Sequence, residues 1–111
     1  MRSAKIDDSQ RELVPFLQAH GATFQSLATV GKGCPDGIVG FMGVTAVVEF
    51  KTPRTPPKTS RRVPRARKAT RTVLAQAEWS ARWKGSTVVI LRTREDCTEM
   101  LNLMAVMAVK R

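Results

Sequence analysis

A chain of 111 residues with 42% hydrophobic content is the size of one domain with a modest core. Nineteen Lys and Arg against nine Asp and Glu leave a formal charge of +10, with a pI near 10.9, which points to a polyanionic partner and to nucleic acid above all. Two cysteines in no zinc-ligand spacing and a single histidine exclude a disulfide scaffold and a Cys/His metal site, so any metal is held by oxygen atoms.

The opening residues carry no apolar h-region, so no secretory signal is read there. The longest apolar stretch, residues 103–109, is far too short to span a bilayer. Cys34 and Cys97 read as free thiols in a reducing compartment, and the expected location is the cytoplasm.

Residues 7–20 predict a first helix. Ser9-x-x-Glu12 has capping-box spacing, Leu13, Phe16, Leu17 and His20 share one face, and Gly21 marks the stop. Pro15 removes one hydrogen bond inside this helix and introduces a possible kink. Residues 22–30 predict a strand, rich in apolar and β-branched side chains. Residues 31–37, Gly-Lys-Gly-Cys-Pro-Asp-Gly, are a loop dense in turn formers. Residues 38–41 and 44–51 predict two strands of a hairpin, joined tightly at Met42-Gly43.

Residues 52–72 change character. They hold four prolines and Arg54, Lys58, Arg61, Arg62, Arg65, Arg67, Lys68 and Arg71, without one acid. This predicts a basic, extended arm that tracks a phosphate backbone. The arm has no aromatic residues, so it is not built to stack on bases and carries little sequence information. That favours a structure-selective or nonspecific enzyme over a sequence reader.

Residues 73–84 predict a second helix, with Gln76, Trp79, Ser80 and Trp83 on one side. Trp79 and Trp83 are read first as core aromatics, with base stacking as the lesser alternative. Gly85 ends the helix, and residues 86–92 predict a buried strand that an intervening helix allows to lie parallel to a neighbour. Thr93 is a candidate cap for a last helix over residues 94–109, with Asp96 near its favourable end. Apolar side chains run nearly all round that helix, so part of it is expected to dock on a partner. The order is α-β-β-β-α-β-α, a layered α/β domain around one small mixed sheet.

Side chains alternate along a strand, so Glu49 and Lys51 share one face while Val48 and Phe50 take the other. A hairpin closing at Met42-Gly43 brings Asp36 back beside Glu49. Two carboxylates at a sheet end make an oxygen-rich site that suits Mg²⁺ or Mn²⁺ with water and substrate phosphate. The chemistry that fits is phosphodiester hydrolysis, with Lys51 positioning a water or stabilising charge on the phosphoryl oxygens. The Phe50 backbone carbonyl is a further candidate oxygen ligand. Glu12 either completes the capping box, supplies another ligand, or does both. The competing reading is a turn aspartate at Asp36 and a surface Glu49/Lys51 pair that protects an edge strand.

On Pro35-Asp36 and Glu49-Phe50-Lys51 the chain resembles the PD-(D/E)XK nuclease superfamily, and more closely its small VRR-NUC-like and Holliday-junction-resolvase-like members, phage forms included. Glu12 on the first helix and Gln76-Ala77-Glu78-Trp79 on the next extend the likeness over roughly residues 7–99. The resemblance implies a restriction-endonuclease-like core, α-β-β-β-α-β, with a helix appended. It implies a divalent-metal endonuclease with Asp36 and Glu49 as metal ligands and Lys51 as catalytic lysine. Glu12 becomes an auxiliary acid, and Gln76 a residue beside the site. The expected substrate is DNA, branched or duplex, in a bacterial or phage-infected cell. A homodimer is expected if junctions are cut, because two symmetric cuts need two sites. Two alternatives remain: a non-catalytic nucleic-acid-binding module, and a nuclease subunit docking through its last helix to a larger DNA-processing complex.

Overall fold

The computed structural model describes residues 8–53 and 66–110. Among these the elements run α1 (Asp8–Ala19), β1 (Thr23–Ser26), β2 (Gly37–Phe41), β3 (Val44–Phe50), α2 (Ala66–Arg82), β4 (Val89–Leu91) and α3 (Arg94–Lys110). The strands form one mixed sheet in the order β1-β2-β3-β4. The β1–β2 and β2–β3 pairs are antiparallel, and β4 lies parallel to β3. The α/β class and the element order are those expected from the sequence.

Strand β3 organises the sheet. Val44, Ala46, Val48 and Phe50 alternate onto one face, where Leu13 and Leu17 of α1 and Cys97, Met100, Leu101 and Met104 of α3 bury them. Full burial of each such Leu or Phe contributes about 1.5–3 kcal/mol. The opposite face carries Val47 and Glu49, with Ile38 of β2 and Ile90 of β4 as their register partners. Helix α2 lies over its β3–β4 end.

Turn chemistry fixes the hairpin. Phe41 pairs with Val44, leaving Met42 and Gly43 as a two-residue loop with φ of +52° and +81°. Positive φ at both positions is the type I′ signature, whose twist matches the flanking strands. Further along, Gly37 pairs with Ser26 and lies under Phe24, whose ring carbon would sit 2.5 Å from any added Cβ. The missing side chain lets that ring reach an edge-on contact with Phe50, 5.7 Å between centroids.

Several boundaries differ from expectation. Strand β1 stops at Ser26 because the Ser26 hydroxyl accepts the Ala28 amide at 3.1 Å, and the Val30 amide turns back to Leu27 at 3.0 Å. Strand β4 covers only Val89–Leu91, since the chain before it turns on the Trp83 indole, which donates to the Ser86 carbonyl at 2.7 Å. The second helix begins earlier than read. Helix α2 begins at Ala66, so Arg67, Lys68 and Arg71 belong to a helix; Ala, Arg and Lys are good helix formers once past Pro64. Arg54, Lys58, Arg61, Arg62 and Arg65 lie outside the described residues.

Helix α1 runs unbroken through Pro15, which sits at an exposed position. Ser9 lies within its first turn and is not a capping-box residue; its hydroxyl donates instead to the Lys51 carbonyl at 2.8 Å, tying α1 to the end of β3. The capping box appears at α3. The Asp96 amide donates to the Thr93 hydroxyl at 3.1 Å, and the Asp96 carboxylate accepts the Thr93 and Arg92 amides at 3.1 and 2.7 Å. His20 closes α1 as expected, its ring nitrogen 2.8 Å from the Phe16 carbonyl.

Candidate active site

The site forms where β2 begins and β3 ends. Gly37 pairs with Val48, so one step further the same register sets Asp36 opposite Glu49. Directly opposed residues carry their side chains on one face, with Cβ atoms about 4.5–5.5 Å apart. The position of Asp36 is fixed at both ends. Its carbonyl accepts the Leu27 amide at 2.8 Å, and its Oδ2 accepts the Phe50 amide at 2.7 Å. The carboxylate is thereby held across the hairpin at the Glu49–Lys51 end of β3. The Phe50 ring itself points into the core, so only its backbone belongs to the site.

Glu49 is more enclosed than the lysine it pairs with. Its side chain is 15% exposed, against 38% for Lys51, and Glu49 Oε2 lies 3.7 Å from Lys51 Nζ. The same oxygen accepts from Gln76 Nε2 at 3.4 Å. The side reading of α2 therefore holds for Gln76, which faces the sheet and meets the acid. A pocket of about 130 Å³ opens here, lined by Glu49, Lys51, Gln76, Trp79, Pro35 and Ile90 among others.

Gly33 seats α2 against this pocket. Its φ is +80°, and an added Cβ would lie 2.1 Å from the Ala75 carbonyl oxygen. Helix and loop approach backbone to backbone, which only glycine permits. Cys34, next in the chain, is half-buried with a free thiol. Burial pushes that thiol's pKa up, and the charges of Glu49 and then Asp36 raise it further. Both carboxylates thus lie within electrostatic reach of one sulfur.

Glu12 is elsewhere. Its carboxylate pairs with Arg94 Nε of α3 at 3.2 Å, both groups well exposed, while the Arg94 guanidinium lies over the Phe16 ring at 5.5 Å. Its ion pair is with Arg94 and not at the Glu49–Lys51 end of β3, so the expectation that it joins the two acids is corrected. The core reading of the tryptophans is corrected too: Trp79 is half-buried in the pocket wall, and Trp83 stacks on it 41% exposed. Sequence reasoning also missed Ser9 and Gly33. The Gly-Lys-Gly spelling was a signal for left-handed backbone at Gly33, but nothing local announced what the glycine would touch.

The carboxylates at this end of β3 are those of Asp36 and Glu49. Among the described residues no group of three or more His, Cys, Asp or Glu side chains is assembled that could hold a metal ion. Asp36 and Glu49 are oxygen donors of the type that Mg²⁺ takes together with water and a phosphate oxygen.

No protein-family model, curated protein or solved structure matches this chain. Among the described residues no helix is long and apolar enough to cross a membrane.

Proposed function

We propose that the chain is a divalent-metal-dependent endonuclease that hydrolyses DNA phosphodiester bonds, selecting branched or junction DNA by its structure. The observation that carries this reading is the Asp36 carboxylate fixed on the Phe50 amide, in register opposite Glu49 and beside Lys51. β3 lies between β2 and β4, so a Glu49/Lys51 pair there protects no sheet edge. The PD-(D/E)XK likeness and the restriction-endonuclease-like core are part of the same proposal, supported by the way Pro35-Asp36 and Glu49-Phe50-Lys51 meet.

Asp36 and Glu49 would hold Mg²⁺ or Mn²⁺, with the Phe50 carbonyl as a further oxygen. When bound, such an ion lowers the pKa of a coordinated water and offsets negative charge on the phosphate. Lys51, the more exposed partner of Glu49, turns to the scissile phosphate and stabilises charge on its oxygens. Gln76 keeps the Glu49 carboxylate oriented. The partly buried Ser9–Lys51 tie holds the strand end still while substrate binds. Net charge of +10, much of it from the Lys and Arg residues of 52–72, brings DNA to the site. The exposed apolar side chains Leu103, Val106 and Met107 on α3 are the surface for a second copy of the chain, which two cuts at a junction require.

The test is incubation with supercoiled, linear and four-way-junction DNA in Mg²⁺ or Mn²⁺. Cleavage in metal and none in EDTA is expected, with the junction cut fastest. Salt-sensitive binding without cleavage of any form would instead make the chain a binding module, or a subunit that acts only in a larger complex.

A further inference from the structure

We propose that Trp79, braced by Trp83, is a stacking platform for one unpaired nucleobase of the strand whose phosphate lies at Glu49 and Lys51. This rests on the pocket being a nucleic-acid phosphate site and names what that site takes: single-stranded or locally unpaired DNA.

Trp79 lines the same pocket as Glu49, Lys51 and Gln76. Its three-residue spacing from Gln76 puts both on one side of α2. The indole is backed by Trp83, with ring centroids 4.8 Å apart and planes 20° from parallel. Trp83 remains 41% exposed, yet its ring is not free to swing. Its indole N–H donates to the Ser86 carbonyl at 2.7 Å, and Gly85 lies so close that an added Cβ would meet the ring at 2.5 Å. Large aromatic surface that is fixed in orientation but left wet is the property of a stacking surface, not of a core.

The rest of the pocket wall agrees with a base as occupant. Pro35, Val88 and Ile90 add apolar surface to its wall, and Ile90 is itself 41% exposed. At about 130 Å³ the pocket is too small for a base pair. A base inside a duplex has both faces covered by its neighbours, so only an unpaired or extruded base presents a face to an indole. Branch points supply such bases. Lys51 in the pocket wall and exposed Lys84, next to Trp83 in the chain, supply positive charge for the backbone of that nucleotide.

The chain has two tryptophans, both in this pair, so intrinsic emission reports the platform and nothing else. The full chain is titrated in EDTA with an oligothymidylate and with a duplex of equal length, following emission and, with labelled DNA, anisotropy. Emission is expected to be quenched by the single strand and much less by the duplex. Trp79→Ala should weaken single-strand binding about tenfold, the effect of one lost base–aromatic stack, while Trp79→Phe keeps most of it. Unchanged emission with equal affinity for both DNAs, or full single-strand affinity in a folded Trp79→Ala chain, overturns the proposal. Asp36→Ala separates this from the nuclease reading, because it should abolish cleavage and leave quenching intact. Cleavage without quenching overturns the platform alone, and quenching without cleavage overturns only the nuclease.

Discussion

The Asp36 carboxylate accepts the backbone amide of Phe50 at 2.7 Å, from a position fourteen residues earlier in the chain. One contact thus closes the open end of the hairpin and sets an acid opposite Glu49. Structure and proposed chemistry meet in it, and two substitutions pull them apart.

Asp36→Ala removes the acceptor and leaves a partly buried amide unpaired, which costs about 1–3 kcal/mol. Asp36→Asn keeps an oxygen for that amide but loses the charge. Urea unfolding should show the alanine chain destabilised and the asparagine chain within about 1 kcal/mol of the parent. Both should fail to cleave DNA.

Gly33 carries a second, independent constraint. Gly33→Ala meets a left-handed backbone penalty of about 1–2 kcal/mol and also drives a Cβ to 2.1 Å from the Ala75 carbonyl oxygen. Gly31, with φ of +70° and no atom within 4 Å of its Cβ position, meets the first penalty alone. Thermal unfolding should rank Gly33→Ala below Gly31→Ala. Tryptophan emission should shift in the Gly33 variant only, because α2 must move away from the loop.

Glu12 provides the contrast. Its pair with Arg94 is exposed at both ends, so Glu12→Ala should cost no more than about 1 kcal/mol. Cleavage by the Glu12→Ala chain should match the parent, whereas Glu49→Gln should abolish it. Parallel rate measurements on one labelled substrate decide the point.

The strands, the helices and their order could be read in the sequence because burial alternates cleanly along β3 and because glycine and proline punctuate the chain. The pairing of Asp36 with Glu49 could be read as well, since a two-residue loop at Met42-Gly43 fixes the register by counting. What could not be read were contacts made across the fold. Ser9 has capping spacing with Glu12, yet tertiary packing gives its hydroxyl to Lys51 and gives Glu12 to Arg94. Trp79 and Trp83 carry helical spacing that looks like a core stripe. Helix α2 covers only one end of its sheet face, which leaves the second ring in solvent. The run of Arg and Lys before Thr72 hid the start of α2, because charge and nearby prolines outweighed good helix propensity.

Cys97 gives a pH signature. It is fully buried in the core, and burial, with the charges of Asp96 and then Glu12, pushes its thiol from the ordinary 9.0 to about 11. The folded chain holds this proton more tightly than the unfolded one. Its contribution to stability is therefore complete below pH 9 and is lost as pH rises through 11, at most about 2–3 kcal/mol. Urea unfolding from pH 8 to 11 should show that decline. The Cys97→Ala chain, less stable at pH 8 through lost packing, should show a shallower one.

The central claim, that Asp36, Glu49 and Lys51 form one hydrolytic site, is tested most directly by single-turnover cleavage of labelled junction DNA in Mg²⁺. Parent, Asp36→Asn and Lys51→Ala chains are compared, each shown to be folded and to bind the DNA. The account predicts cleavage by the parent and a loss of at least about a hundredfold in both variants. Cleavage at the parent's rate by either folded variant, or none by the parent, would contradict it.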